Sequence, residues 1–213
     1  MIKAVLFDFD DTLVKTKSIR YKAIKKAGKK FYNLNISDAD IDKYWGKPFD
    51  SFISDIFINS DTVRNLTNNY KSILPKYPNE QITDTNKVVK QLSQNFLLGI
   101  ISSNNPDLIR GGMKDVKLSS SYFFFIQSSK DTKVHKPNLG VFLPSLEKLE
   151  ARNISKNEVL YVGDALDDYE VASSTGLHFC GIANRTVKEK TYIERKIPYI
   201  KAISELPRFI KKI

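Results

Sequence analysis

The 213-residue sequence contains a single cysteine, Cys180, and no long apolar run. One cysteine cannot form an internal disulfide, so we expect a reducing compartment, with the cytoplasm as the location. No segment approaches the roughly 18 to 20 consecutive apolar residues of a membrane span, which argues against a membrane protein. The apolar run after Met1 is too short for a signal peptide. Internal repeats and low-complexity segments are lacking as well, and the composition, 41% hydrophobic and 27% charged, is typical of a folded globular protein.

The chain carries an excess of positive charge. Thirty-four Lys and Arg residues against 24 Asp and Glu give a net charge of +10, which favours anionic ligands such as phosphorylated metabolites, nucleotides or nucleic acid. The basic residues are scattered, however, and the densest early cluster, between Lys22 and Lys30, alternates with Ala23, Ile24 and Ala27. That spacing is typical of a solvated helix face. Compositional bias is therefore the simpler explanation of the charge.

Short apolar runs alternate with helical patterns in the second half of the chain. A first run, Ile2 to Phe9, also reads as a buried strand because it ends at acidic residues. Alternating strands and helices imply right-handed crossovers, so we expect an α/β fold with a Rossmann-like open parallel sheet. The later predicted strands cover 96–101, 122–127, 159–162 and 178–183. The predicted helices cover 87–92, a segment from Pro106 to Gly111-Gly112, a segment after Pro137 split by Gly140 and Pro144, and 167–175.

Between the first strand and this alternating region lies a segment dominated by helical patterns. Its predicted helices are 18–30, 38–44, 49–58 and 61–74, ahead of a break at Pro75 and Pro78.

Polar residues follow the predicted strands where ligands bind in open parallel sheets, at the carboxyl ends. These groups are Asp8 to Thr12, Ser102 to Asn104, Lys136 in a loop before a helix, and Gly163 to Asp168. The fold should therefore bring residues that are far apart in sequence into one crevice.

The combination suits phosphoryl transfer through a covalent intermediate. Asp8 can act as the nucleophile, and Asp10 can protonate the leaving oxygen and then activate water. Magnesium prefers oxygen ligands, which Asp8 and Asp164 can supply. Ser102, with backbone amides at a helix start, can hold phosphate oxygens, and Lys136 can neutralise the charge that develops during transfer. Each motif alone is weak, but four in this order form a strong joint signal.

This combination resembles the haloacid dehalogenase-like (HAD) superfamily of hydrolases over essentially the whole chain. The matching segments are Leu6 to Leu13, Gly99 to Ser102, Lys136 to Phe142 and Val162 to Asp168. The resemblance implies Asp8 as nucleophile, Asp10 as acid/base, Ser102 as phosphate ligand and Lys136 as the motif lysine. It also implies a Mg²⁺ ion held by Asp8, Asp10 and Asp164. Ser103 and Asn104 are expected to bind the substrate or its phosphate group, and Thr12 and Asp168 are expected to support the site.

Two positions depart from the family pattern. Asp11 replaces the usual glycine and should add negative charge near the mouth of the site, and Leu139 replaces the second proline of the third motif. Asp10, by contrast, favours a phosphatase, because the dehalogenases that name the superfamily lack this carboxylate.

The helical segment resembles the family's C1 cap, in a phosphoglycolate phosphatase-like form. We therefore expect a core domain of residues 1–14 plus 85–213 and a helical cap domain of residues 15–84. Trp45-Gly46-Lys47-Pro48 resembles the substrate-facing loop of such caps, which makes Lys47 a predicted substrate contact, while Trp45 is equally suited to anchoring the cap.

Several alternatives stay open at this point. Ser103 competes with Ser102, Asp167 with Asp168, and Lys130 or Lys133 with Lys136. The expected substrate is a small phosphorylated metabolite and the expected assembly a monomer or dimer, with no membrane partner. A phosphomutase uses the same groups, the basic charge keeps a nucleic-acid end as an alternative substrate, and a non-catalytic phosphate-binding module is the alternative from a different class.

Overall fold

The computed structural model describes residues 1–184 and 186–213. Within them, six strands form one parallel sheet in the order β5-β4-β1-β6-β7-β8. These strands are β1 (Ala4–Phe7), β4 (Leu97–Ile101), β5 (Phe125–Gln127), β6 (Val159–Gly163), β7 (His178–Ile182) and β8 (Tyr199–Ile200). The open parallel sheet predicted from the sequence is confirmed.

Strand β1 is buried on both of its faces because helices cover both sides of the sheet. Val5 and Phe7 belong to the hydrophobic cluster on one face, and Ala4 and Leu6 to the cluster on the other. This explains why β1 reads as a continuous apolar run and not as an alternating one. Leu6 pairs with Gly99 of β4 and Tyr161 of β6, so β1 lies at the centre of the sheet.

Helices flank the sheet on both faces. On the Val5 side pack α5 (Thr85–Leu92), α6 (Pro106–Asp115) and α10 (Leu206–Ile210). On the Leu6 side pack α7 (Leu143–Glu150), α8 (Leu166–Thr175) and α9 (Glu189–Glu194). Among the described helices, none is both long and apolar enough to cross a membrane.

The segment after β1 is helical and has its own apolar cluster. It contains α1 (Lys17–Tyr32), α2 (Asp38–Tyr44), α3 (Phe49–Ile56) and α4 (Val63–Ile73). Buried residues of this cluster include Ile24, Ile41, Ile53 and Leu66. An antiparallel pair of short strands, β2 (Val14–Lys15) and β3 (Glu80–Gln81), joins the beginning and end of the segment. The sequence analysis missed this pair because two-residue strands leave no periodic signal.

Two predicted helix features can be compared with the structure. Asn105 caps α6 by accepting a hydrogen bond from the Leu108 N–H at 3.0 Å. The prediction that Gly111-Gly112 ends this helix is wrong, because α6 continues to Asp115. Gly112 is instead a point of close packing, since a Cβ there would lie 2.9 Å from the Phe9 ring. The helix after Pro137 is divided as predicted, into a 3-10 turn at Leu139–Phe142 followed by α7.

Candidate active site

The turn after β1 carries Asp8 and Asp10 to the carboxyl edge of the sheet. The Asp8 N–H donates to the Val162 carbonyl of β6 at 2.8 Å, which extends the strand pairing one residue beyond β1. Asp8 is 9% exposed. The central position of β1 therefore places this carboxylate in the middle of the edge, with the ends of β4 and β6 on either side.

Asp11 stabilises the same turn. Its φ of 54° lies in the left-handed region, which explains the usual glycine and which aspartate tolerates. Its Oδ1 accepts hydrogen bonds from the Thr16 and Lys17 N–H groups, at 2.9 and 3.3 Å, at the start of α1. The carboxylate therefore binds helix amides. Together with the larger effect of burial, its negative charge also raises the pKa values of Asp10 and Asp164, in agreement with the expected added charge near the mouth of the site. Thr12 is fully buried and its Oγ1 has no hydrogen-bond partner among the described residues, so its supporting role stays a prediction.

Lys136 connects the first and fourth motifs. Its Nζ lies 2.6 Å from Asp8 Oδ1 and 2.8 Å from Asp168 Oδ1, and all three side chains are nearly buried. Burial alone would lower the Lys136 pKa, but Asp168 and Asp8 hold it well above its usual value. Burial raises the pKa of Asp8 to about 7, against the opposing effect of Lys136. Lys130, which the sequence left as an alternative to Lys136, pairs instead with Asp50 at 2.7 Å. Lys136 is therefore the lysine that contacts Asp8.

Strand β6 ends at two further carboxylates with different surroundings. Asp168 Oδ1 also accepts from the Tyr161 hydroxyl at 3.1 Å, and its Oδ2 accepts from the Ala165 N–H at 3.1 Å. Asp164 is 6% exposed and, among the residues that the structure describes, accepts one side-chain hydrogen bond, from Asn184 Nδ2 at 2.8 Å. Burial, reinforced by Asp8 and Asp168, raises the pKa of Asp164 well above its usual range. Asp168 is 2% exposed whereas Asp167 faces solvent, so Asp168 is the inward residue of the pair.

The buried carboxylates fit the donor set of a hard divalent cation. One oxygen each of Asp8, Asp164 and Asp168 lie within 4.8 Å of one another. Lys136 is the only ammonium that pairs with this group among the described residues, so negative charge is in excess. Because Asp168 already accepts three hydrogen bonds, Asp8 and Asp164 are the better ligands for Mg²⁺. The Asp10 side chain is not part of this cluster, and its role as a metal ligand stays a prediction.

Strand β4 delivers the second motif to Asp10. Asn104 Nδ2 donates to Asp10 Oδ2 at 2.5 Å, and the Asn104 N–H donates to Ser102 Oγ at 3.1 Å. Burial raises the pKa of Asp10 to about 6, while Thr16 and Arg20 act in the opposite direction. Ser103 and Asn104 line the cavity above Asp8, whereas Ser102 is 5% exposed. The choice between the two serines as phosphate ligand therefore stays open.

A cavity of about 130 Å³ lies above these groups, between the sheet edge and the helical segment. Asp8, Asp10, Lys136 and Asp164 line it from the sheet side. The helical segment contributes Arg20, Trp45, Lys47, Phe49, Phe52 and Tyr70. The cavity is therefore lined by charged groups on the side of the sheet and by aromatic and basic side chains on the side of the helical segment.

The predicted substrate loop lies at this cavity. Lys47 Nζ pairs with Asp55 at 2.8 Å and the side chain is 46% exposed, so its role as a substrate contact stays a prediction. Trp45 lines the cavity and also packs edge-to-face on Phe52 of α3, with ring centroids 5.8 Å apart. Trp45 therefore contributes both to the cavity wall and to the packing of the helical segment.

Several polar residues of the site were not predicted from the sequence, among them Arg20, Tyr70 and Asn184. Arg20 and Tyr70 lie in the cavity wall, and Asn184 holds Asp164. Arg20 had a detectable signal, because it shares helical spacing with Ala23, Ile24 and Ala27 and so lies on the apolar face of α1. Tyr70 and Asn184 had no comparable signal, since contacts made across the fold leave no local pattern.

Comparison with known proteins identifies the family. Residues 5–182 match the family model described as haloacid dehalogenase-like hydrolase. A protein of Clostridium perfringens with a provisional assignment as the pyrophosphatase PpaX is 30% identical over 188 residues, which cover 85% of this chain and 84% of the relative. The chain therefore belongs to the haloacid dehalogenase-like hydrolases, and it is an enzyme of the phosphatase branch.

Solved structures agree on the fold. A predicted phosphoglycolate phosphatase of Haemophilus somnus aligns with a TM-score of 0.80 at 14% identity, covering 98% of both chains. The HAD-hydrolase YfnB of Bacillus subtilis, solved with bound magnesium, aligns with a TM-score of 0.77 at 18% identity, covering 99% of both chains. At these identities the similarity concerns the fold alone.

Proposed function

We propose that the protein is a Mg²⁺-dependent phosphatase that releases phosphate from a small phosphorylated metabolite through an aspartyl-phosphate on Asp8. The observation that carries this proposal is the contact of Lys136 with Asp8 and Asp168, next to Asp164, at the edge of the sheet. A buried carboxylate with an ammonium group beside it suits attack on phosphorus, because the ammonium offsets charge on the phosphoryl oxygens.

In the first step, an Asp8 carboxylate oxygen attacks phosphorus. The bond from phosphorus to the leaving oxygen breaks, and that oxygen takes a proton from the Asp10 carboxylic acid. The raised pKa of Asp10, about 6, supports its acting as an acid near neutral pH. Asn104, which donates to Asp10 at 2.5 Å, holds the acid in position.

In the second step, the Asp10 carboxylate takes a proton from water, and the water oxygen attacks the phosphorus of the aspartyl-phosphate. The bond to Asp8 breaks, which releases inorganic phosphate and restores the Asp8 carboxylate. Mg²⁺ held by Asp8 and Asp164 would supply charge neutralisation between the nucleophile and the phosphate. The magnesium in the related YfnB structure supports this choice of metal.

The helical segment is proposed to act as the C1 cap. Its residues form the wall of the cavity opposite Asp8, and such lids exclude water and select substrates. A cavity of about 130 Å³ suits a small substrate. Pyrophosphate is the first compound to test, because the Clostridium perfringens relative carries a pyrophosphatase assignment.

The test measures phosphate release with Mg²⁺ from pyrophosphate and from a panel of phosphorylated metabolites. Asp8→Asn should reduce turnover by at least about 10⁴-fold while retaining the fold, because the amide is a poor nucleophile. Glu170→Gln removes an exposed carboxylate of α8 and serves as the matched control, with unchanged activity expected. Normal turnover by Asp8→Asn would contradict the covalent mechanism and favour a role for the fold other than phosphoryl transfer through Asp8.

A further inference from the structure

Arg20 is a buried cation without an ion-pair partner among the described residues. It lies on the apolar face of α1, is 8% exposed and lines the cavity above Asp8. Among the described residues, no carboxylate lies within 4.0 Å of its guanidinium to form an ion pair, and the neighbouring Tyr70 hydroxyl carries no charge that could balance it. Buried charges in proteins are normally paired, because removing an ion from water is unfavourable. The cavity is the remaining place from which a partner can come.

The neighbours of Arg20 indicate where in the cavity an anionic partner would lie, namely beside Asp10, where the leaving group of the substrate is expected. Arg20 is one of the groups whose charge is felt at Asp10, whereas the cation at Asp8 is Lys136. Tyr70 is 2% exposed, lines the same wall and has its hydroxyl close enough to Arg20 for that charge to lower its pKa, against the larger effect of burial. Because Asp10 is proposed to protonate the leaving oxygen, a group bonded just beyond that oxygen would face Arg20 and Tyr70.

We infer that Arg20 is a specificity-determining residue that binds a second anionic group, carried by the leaving group of the substrate. The inference rests on the proposed function and narrows it to small phosphate compounds whose leaving group is itself an anion. A guanidinium matches both carboxylate and phosphate oxygens with two parallel N–H donors, so either group satisfies the site. Because Asp8 and Arg20 line the same cavity, one small substrate can present an anionic group to each of them.

Three probes separate these cases. Pyrophosphate has a phosphate leaving group, phosphoglycolate has a leaving group with a carboxylate, and ethyl phosphate has a neutral leaving group. The wild-type protein should turn over at least one of the two anionic probes with a kcat/KM about tenfold or more above that for ethyl phosphate. Whichever anionic probe is preferred identifies the chemistry that Arg20 binds.

Arg20→Gln removes the charge and keeps most of the side chain. The loss of a charge-assisted hydrogen bond should lower kcat/KM for the preferred anionic probe by about 10- to 100-fold. Activity on ethyl phosphate should change little, and it also reports that the variant is folded. Lys26→Gln removes an exposed charge from the same helix and should leave both activities unchanged. If Arg20→Gln does not fold, Arg20→Lys keeps the charge without the planar fork and should still lose several-fold of the preference.

The outcomes separate the inference from the proposed function. A wild-type protein that releases phosphate from none of the probes or metabolites contradicts the proposed function, and the inference with it. An active wild-type protein without preference for an anionic leaving group contradicts the inference alone. So does an Arg20→Gln variant that loses activity equally on ethyl phosphate and on the anionic probe, because Arg20 would then act through Asp10 or through the fold.

Discussion

Asp164 and Asp168 are the same residue type four positions apart, yet their surroundings differ. Asp168 accepts hydrogen bonds from Lys136, Tyr161 and Ala165, so its charge is compensated within the protein. Within the described part of the chain, Asp164 accepts one side-chain hydrogen bond, from Asn184, and burial raises its pKa well above the usual range. We therefore interpret Asp168 as the residue that positions Lys136. We interpret Asp164 as the residue that is available to bind the proposed Mg²⁺ ion.

The raised pKa of Asp8 predicts how stability depends on pH in the metal-free protein. The unfolded chain releases this proton near pH 3.8 and the folded protein near pH 7, so the Asp8 contribution to the free energy of unfolding falls as pH rises between these values. At about 1.4 kcal/mol per unit of pKa shift, the loss is of the order of a few kcal/mol.

Asp8→Asn removes this titration. In urea unfolding without metal, the variant should therefore gain stability relative to the wild type between about pH 5 and pH 8. Addition of Mg²⁺ should stabilise the wild type at pH 8 much more than the variant. A stability difference between the two proteins that does not vary with pH would contradict the assigned burial of Asp8.

For individual residues, the sequence predicted the charged side chains that belong to recognisable motifs. Asp8, Asp10, Lys136 and Asp164 were all predicted, and the structure brings them to one cavity. The orienting contacts, from Asn104 to Asp10 and from Asn184 to Asp164, were not predicted. They join residues 94 and 20 positions apart, and only the folded sheet edge brings such residues together.

Helix α6 illustrates what decides structure at the scale of an element. Two consecutive glycines read as a helix end in the sequence, because glycine is common just after helices. In the structure both lie inside α6, and Gly112 packs directly against the ring of Phe9, which lies between Asp8 and Asp10 in the sequence. Tertiary packing therefore overrides the local propensity of this segment.

The two glycines form a matched pair for mutation. Gly111→Ala should be neutral or stabilise the protein by up to about 1 kcal/mol, because nothing lies within 4 Å of the added Cβ and alanine favours the helix. Gly112→Ala should destabilise it by about 1–3 kcal/mol, because the methyl group would lie 2.9 Å from the Phe9 ring. Chemical denaturation measures both values, and equal stability of the two variants would show that the close approach to Phe9 is not a constraint.

The larger elements were predictable and the short ones were not. Strands β1, β4 and β6 are buried on both faces, so their residues form continuous apolar runs that are visible in the sequence. Strands β2, β3 and β8 have two residues each and depend on pairing with distant partners. Among the residue-level assignments, Asp11 could not have been placed at the amides of α1 from its spacing alone.

At the scale of the whole molecule, the net charge of +10 should act on an anionic substrate before it binds. The rate of encounter with a phosphate compound is raised by a field that added salt screens over about 10 Å at 0.1 M and about 3 Å at 1 M. We expect kcat/KM for the best small substrate to fall as NaCl is raised over this range, with kcat nearly constant. A flat or rising kcat/KM would show that the charge has no role in encounter.

The same titration tests the nucleic-acid alternative. An oligonucleotide with a 3′-phosphate contacts several basic groups, so its turnover should depend on salt more steeply than that of a small substrate. Turnover of such an oligonucleotide faster than that of every small phosphate would overturn the expected substrate class.

The arrangement of the whole molecule follows from the order of its segments. A strand, a helical insertion and then alternating strands and helices predicted the parallel sheet and the helical segment above its edge, both of which the structure contains. The helical segment could be recognised because its sequence patterns are typical of helices and not of strands. The substrate could not be predicted in the same way, because it depends on which side chains of the helical segment, such as Arg20, face the sheet edge.

The central claim is that phosphorus becomes bonded to Asp8 during turnover. The most direct measurement is rapid acid quench of the protein with Mg²⁺ and its best substrate, followed by mass spectrometry of the intact chain and its peptides. The wild-type protein should gain the mass of one phosphoryl group, located on the peptide that contains Asp8, and Asp8→Asn should gain none. A wild-type protein that turns over substrate with no phosphorylated species at any quench time, or with the phosphoryl group on another residue, would contradict the account.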